Sequence, residues 1–136
     1  MEANGMGMAI DRLDHLVLTV KDIAATCAFY EKVLGMRVAT FGQGRTALHF
    51  GRQKINLHQT GREFNPKARV PTEGSGDLCF IAAVPMPDVL AHLKAQQVPV
   101  VEGPGTRTGA LGPMESVYVR DPDGNLVEIS CYPRSA

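Results

Sequence analysis

Two histidines, two carboxylates and one amide occur in strand-like segments of the chain, where they could together hold a divalent metal ion. They are His15, Asn56, His58, Asp77 and Glu128. A carboxylate that faces the interior is costly to bury unless it is paired or metal-bound. Neutral imidazole and carboxylate ligands suit Mn, Fe, Ni or Zn, and this set alone does not separate those metals. The residue types therefore predict a metal site if the strands bring them together.

Side-chain alternation predicts that these residues share one kind of surface. In the first predicted strand, residues 13–20, Leu16, Leu18 and Val20 form an apolar face that suits packing under a helix, which leaves His15 on the other face. The same alternation puts the other four candidates on the faces of their strands that point away from the helices. If each half-sheet curls so that these faces meet, all five side chains converge.

The elements that must position these residues follow each other in a repeated order. A strand at 13–20, a helix between Asp22 and Gly35, and strands at 36–41, 46–51 and 54–59 give the order βαβββ. A polar segment at 60–76 follows. The second half then has a strand at 77–84, a helix at 87–97, a strand at 98–102, a Gly/Pro/Thr-rich loop at 103–113, and a hairpin of 114–120 with 125–131.

An internal repeat connects the two halves. Shifting the sequence by 62 residues places His15 on Asp77 and Val38 on Val100 without a gap. Two copies of one module predict an α+β fold in which paired βαβββ modules form a curved mixed sheet around a polar cavity. Module one spans 13–59, the linker 60–76 and module two 77–131, in a single domain at 13–136 that follows a flexible tail at 1–12.

Composition argues against several classes of partner. The chain of 136 residues has a formal net charge of zero, which disfavours binding to nucleic acid or an anionic membrane. Its three cysteines are an odd number without C-x-x-C spacing and indicate reduced thiols. No apolar run approaches the roughly 20 residues of a membrane span, and no signal peptide is recognisable. We therefore expect a cytoplasmic protein.

Three stretches carry a resemblance to a known family. They are L-D-H-L at 13–16 with V-K-D at 20–22, F-Y-x-x-x-L-G-M at 29–36, and D-P-D-G-N-x-x-E at 121–128. With these stretches the chain resembles the vicinal-oxygen-chelate superfamily, which comprises glyoxalases, fosfomycin-resistance and bleomycin-resistance proteins and extradiol dioxygenases. Within it, the chain is similar to the glyoxalase domain-containing protein 5 subgroup, which includes bacterial members labelled virulence proteins.

The resemblance implies a metal site and a division of roles. His15, Asp77 and Glu128 stand at three of the family's ligand positions, and Asn56 stands at the fourth, where glyoxalase I has Glu. His58, two residues further on the same face, could replace Asn56 as a ligand and leave it to line the substrate site. Glu128 or Asp77 could act as the catalytic base. Alternatively, His15 could simply bond to Asp77, and Glu128 to an arginine.

The implied activity is a metal-dependent lyase, isomerase, transferase or dioxygenase reaction on a small oxygen-rich molecule. Arg45 in the first hairpin and Arg107 in the loop at 103–113 are candidates to hold a substrate anion. The alternative function is that of a metal-free protein that binds and sequesters a small molecule, as bleomycin-resistance proteins do. A homodimer is expected, because this fold often completes its cavities with a second chain.

Overall fold

A computed structural model describes residues 7–134 of the chain. Within that range, module one contains β1 (His15–Val20), α1 (Ile23–Leu34), β2 (Arg37–Phe41), β3 (Arg45–Phe50) and β4 (Gln53–Gln59). Module two contains β5 (Asp77–Ile81), α2 (Met86–Ala95), β6 (Glu102–Gly109), β7 (Gly112–Arg120) and β8 (Leu126–Cys131). Neither α1 nor α2 has the length and apolarity needed to span a bilayer.

The strands form two four-stranded sheets of identical topology. The first sheet has the order β1-β4-β3-β2 and the second the order β5-β8-β7-β6. In each sheet the first and last strands of the module are parallel and the other pairs antiparallel. This correspondence confirms the α+β fold of paired βαβββ modules that the internal repeat predicts.

Helix α1 begins and ends where its capping residues predict. The Asp22 side chain accepts a hydrogen bond from the Ala25 N–H, and Gly35 ends the helix in the left-handed conformation with φ of 68°. The helix contributes to both hydrophobic cores, because Tyr30 packs into the core of module one and Val33 into the core of module two. The two modules are therefore packed against each other through α1.

A buried hydrogen-bond cluster also joins the modules. The Tyr30 hydroxyl of α1 donates to the Asp121 carboxylate at the β7–β8 turn over 2.7 Å. Asp121 also accepts hydrogen bonds from the backbone N–H groups of Asp123 and Asn125 and from the Asn125 side chain. The Asn125 side-chain oxygen, Oδ1, in turn accepts a hydrogen bond from the N–H of Gly76, which precedes β5. This cluster fixes α1 against the base of the second sheet.

Strand β6 is the main departure from the sequence-based prediction. It runs over Glu102–Gly109, whereas the sequence predicts a strand at 98–102 and a loop at 103–113. Pro104 and an irregularity of register between Glu102 and Gly105 hide the strand pattern, and both are tolerated because β6 is an edge strand. Of the predicted tail, residues 1–6 lie outside the described residues, and residues 7–12 precede β1 without regular structure.

Candidate functional site

Each sheet packs one face against the helices and leaves the other free of them, which we call its open face. In the first sheet, Leu18, Ile55 and Leu57 belong to the core on the helix side. The register pairs His15 with Lys54, Val17 with Asn56 and Thr19 with His58, so these six side chains share the open face. The predicted alternation is therefore observed in β1 and β4.

The open face of the first sheet is cationic. Besides the six side chains above, the strand register adds Arg45, Ala47 and His49 from β3 and Arg37, Ala39 and Phe41 from β2. None of these strand positions, all within residues 7–134, holds an aspartate or glutamate. His49 is a further histidine on this face, and the same alternation identifies it.

The open face of the second sheet is rich in carboxylates. Cys79 pairs with Glu128 and Ile81 with Ser130 between β5 and β8, and Asp77 precedes Cys79 by two residues. Tyr118 of β7 stands between Glu128 and Glu102 in the register. Asp77, Glu102 and Glu128 therefore share this face with two arginines, Arg107 and Arg120, which the register also places there.

A chain of hydroxyl groups holds Glu128. The Ser130 hydroxyl donates to Glu128 Oε2 over 3.3 Å and lies 2.6 Å from the Ser116 hydroxyl. The Cys79 Sγ lies 3.3 Å from the Ser130 hydroxyl. Burial raises the pKa of the Cys79 thiol above its ordinary value of 9.0, with smaller contributions from Glu128 and Asp77. Cys79 is thus a neutral thiol near pH 7 and a poor nucleophile.

His15 is oriented by its neighbour in sequence. Its Nδ1 lies 2.7 Å from Asp14 Oδ1, and this hydrogen bond, more than the nearby cations, lowers the pKa of the Asp14 carboxyl. With Nδ1 donating to Asp14, Nε2 carries the free lone pair. Metal-binding histidines commonly donate their second ring nitrogen to a carboxylate in this way. The sequence also allowed a hydrogen bond between His15 and Asp77, and the structure shows the bond to Asp14 instead.

Asn56 and His58 both carry side-chain polar atoms that make no hydrogen bond within residues 7–134. Asn56 Oδ1 is sealed from solvent and has no hydrogen-bond donor within the described chain. His58 is only 7% exposed, and its ring stacks edge-on against Phe64 of the 60–76 loop at 5.5 Å between centroids. Burial, with Arg45 as the next contributor, lowers the pKa of His58 below its ordinary 6.5, so the ring is neutral at pH 7.

The two candidate arginines differ in what they contact. Arg107 lies in β6 rather than in a loop, where it donates to the Tyr118 hydroxyl over 3.1 Å and to the Thr106 carbonyl and forms a salt bridge with Glu102. The Arg45 guanidinium lies 4.3 Å from the centroid of the Phe64 ring. It forms no salt bridge with a carboxylate of residues 7–134. Arg45 is therefore the one with free donors.

The candidate metal ligands do not meet within one copy of the chain. His15, Asn56 and His58 belong to the first open face, and Asp77 and Glu128 to the second. Across residues 7–134, no three side chains of the types His, Cys, Asp and Glu are close enough to share a metal ion. Glu128 also pairs with neither Arg37 nor Arg120 in this range, and Arg120 donates instead to the Gly124 carbonyl.

A cleft of about 890 Å³ lies between the two modules. Its walls come from the start of β1, the end of α1, β5 and α2, and most of the lining is apolar. His15, Asp77 and Cys79 are among the lining residues. The cleft is large enough for a drug-sized organic molecule, because such sites range over about 300–1,000 Å³.

Several residues of the site were missed by sequence reasoning. Asp14 is adjacent to His15, so the Asp-His pair itself was the available signal. Ser116 and Ser130 follow from strand alternation once the β7–β8 register is known. Phe64 gives no such signal, because it lies in an irregular loop whose path over β3 and β4 depends on tertiary contacts.

Comparison with known proteins relates the whole domain to one family. Residues 12–129 match the family model described as the Glyoxalase/Bleomycin resistance protein/Dioxygenase superfamily. The chain is 59% identical to virulence protein STM3117 of Salmonella typhimurium over an alignment of 125 residues. This alignment covers 92% of this chain and 87% of that protein. It is 56% identical to glyoxalase domain-containing protein RDO1 of Mycosarcoma maydis, over 92% of this chain and 70% of that protein.

Solved structures agree with this relationship. The crystal structure of STM3117 superposes with a TM-score of 0.91 and covers 93% of this chain and all of that one. A lactoylglutathione lyase from Agrobacterium tumefaciens, 27% identical, superposes with a TM-score of 0.71 over 91% of this chain and 96% of that one.

Proposed function

Because the chain belongs to the Glyoxalase/Bleomycin resistance protein/Dioxygenase superfamily, we propose that it is a divalent-metal-dependent enzyme acting on a small oxygen-rich molecule. The observation that carries this proposal is the Asp14–His15 pair. It prepares the His15 Nε2 lone pair for a metal at the family's first ligand position.

The residues present fit a metal of the Mn, Fe, Ni or Zn group. We assign His15, Asp77 and Glu128 as its protein ligands, which gives one imidazole nitrogen and carboxylate oxygens. Three protein ligands would leave positions open for two neighbouring oxygens of a substrate. When bound there, the metal would act as a Lewis acid that stabilises negative charge developing on those oxygens.

Glu128 is the candidate base. Ser130 holds its Oε2, which leaves Oε1 free to accept a proton from the substrate. Asn56 is assigned to the wall of the substrate site, because its strand position lies on the open face between Lys54 and His58. These roles are compatible with proton abstraction beside an oxygen-bearing carbon. The choice among lyase, isomerase, transferase and dioxygenase reactions does not follow from these residues.

We further propose that a homodimer completes the site. The open face of the first sheet carries three cationic side chains and no carboxylate, whereas that of the second carries three carboxylates against two arginines. Two copies can therefore place faces of unlike net charge together. Val17 on one open face is 45% exposed and Ile81 on the other is 54% exposed, which are apolar surfaces that a second chain would cover. In such a dimer, His15 of one copy faces Asp77 and Glu128 of the other.

The cleft between the modules supports a second candidate function. A space of about 890 Å³ with mainly apolar walls suits an organic ligand held without metal, as in a sequestering protein. Metal content separates this candidate from the first. For either function we propose a cytoplasmic location, since Cys27, Cys79 and Cys131 are all free.

Metal analysis of the full-length protein tests the leading proposal together with its Asp14–His15 pair. We expect close to one metal ion per chain. The Asp14→Asn variant should bind it about 10- to 100-fold more weakly, because the charge that orients His15 is lost. The matched control is Asp11→Asn, since Asp11 pairs only with Arg12 on the surface. Absence of metal after incubation with Mn, Fe, Ni, Zn and Co salts would leave the sequestering function as the better account.

A further inference from the structure

The 60–76 loop places Phe64 beside two side chains of the first open face. Phe64 of this loop contacts both the Arg45 guanidinium and the His58 ring. Lys67 of the same loop and Arg45 both act electrostatically on His58, and each of them lowers its pKa. We call the group of Arg45, His58, Phe64 and Lys67 the loop enclosure.

His58 contributes an uncharged imidazole ring to the loop enclosure. It is 7% exposed, yet its ring nitrogens make no hydrogen bond within residues 7–134. They are not among the sealed polar atoms without a partner, so solvent still reaches them. The ring N–H therefore remains open to solvent, and a ligand oxygen that accepts from it would replace water there.

The surrounding charged side chains determine whether a ligand bound there would be an anion or a cation. Arg45 has free donors and is held in place by the Phe64 ring, while Lys67 adds a second positive charge. Glu63 is a nearby carboxylate that offsets one of these two positive charges, so the group keeps one net positive charge. A divalent cation at His58 would be repelled by Arg45 and Lys67, whereas an anion would be attracted.

We propose that the loop enclosure binds the carboxylate group of the substrate, with Arg45 donating a forked pair of hydrogen bonds and His58 donating one more. His58 is then a substrate-binding residue rather than the fourth metal ligand expected from the sequence. This inference rests on the proposed function, since the enclosure lies on the same open face as His15. It makes the substrate a small organic acid that bears further oxygens.

Binding of propionate to the full-length protein tests this assignment. Propionate has no oxygen beyond the two of its carboxylate, so it lacks the further oxygens of the proposed substrate, and propionamide is its neutral counterpart. NMR titration at constant ionic strength should show propionate binding that shifts the His58 ring signals, with no comparable shift from propionamide. Arg45→Gln should weaken propionate binding about 10-fold or more, as expected for loss of a charge-assisted contact.

Two further variants keep the test decisive. Arg52→Gln, in the exposed turn between β3 and β4, removes the same charge and should leave propionate binding within about twofold of wild type. Arg45→Lys should bind with intermediate affinity and covers the case in which Arg45→Gln fails to fold. Absence of propionate binding in the wild type, equal binding of propionamide, or equal weakening by Arg52→Gln would each overturn the assignment.

Metal content measured on the same samples keeps this inference separate from the proposed function. Propionate binding that depends on Arg45 in a protein without metal would uphold the enclosure and remove the metal-dependent reaction. Stoichiometric metal in a protein that shows no propionate binding dependent on Arg45 would uphold the metal-dependent reaction and overturn the loop enclosure.

Discussion

Glu128→Gln is expected to lower the affinity of the protein for Mn²⁺ by at least about 100-fold, because the variant exchanges a charged ligand for a neutral amide of the same shape. Changes at residues that merely support a ligand typically cost 10- to 100-fold, so loss of the ligand itself should cost more. Titration of Mn²⁺ followed by water-proton relaxation measures the affinity directly and requires no knowledge of the substrate.

The matched control for this variant is Glu115→Gln. Glu115 lies in β7 of the same sheet and is exposed, but it alternates to the face opposite Ser116. It should bind Mn²⁺ as the wild type does. Equal affinities for the two variants would contradict the role of Glu128 as a ligand. The thermal unfolding midpoint without metal shows whether either variant has lost its fold.

Asp121→Ala is expected to destabilise the protein by about 3 to 5 kcal/mol. The substitution removes the acceptor for the Tyr30 hydroxyl, for two backbone N–H groups and for the Asn125 side chain in a buried place. Each buried group left without a partner costs roughly 1–3 kcal/mol, with partial relief from water that enters the gap. Urea unfolding at equilibrium measures the free-energy difference.

Tyr30→Phe provides the graded comparison for Asp121→Ala. It removes only one of the four hydrogen bonds and keeps the ring that packs in the core of module one, so about 1–2 kcal/mol should be lost. If Asp121→Ala costs no more than Tyr30→Phe, the cluster does not stabilise the junction of the modules in the manner described. Both variants should retain the metal affinity of the wild type once folded.

Most of the fold follows from local patterns in the sequence. The caps Asp22 and Gly35 locate α1, and the repeat of 62 residues predicts that the second sheet copies the first. Strand β6 does not follow, because Pro104 and the glycines beside it have the composition of a loop. Their edge position, which no local pattern reveals, is what permits a strand there.

The sequence predicts which face of each strand carries the site residues, but it does not predict how those faces are arranged relative to one another. Alternation correctly places His15 and Glu128 away from the helices, because the period of a strand is fixed by the backbone. It does not say which faces oppose each other, since that depends on how α1 packs between the modules through Tyr30 and Val33. Partners from distant loops, such as Phe64 beside His58, likewise depend on tertiary structure.

The central proposal is a metal site shared between two copies, and mixing two inactive variants tests it most directly. His15→Ala and Glu128→Ala should each lack metal. Co-refolding equal amounts should produce mixed dimers in which one site carries both defects and the other carries none. With random pairing, about half of the dimers are mixed, and each mixed dimer has one intact site of its two. About a quarter of all sites should therefore regain metal. No recovery above either parent, while the wild type binds metal as a dimer, would contradict the shared site and place the ligands within one chain.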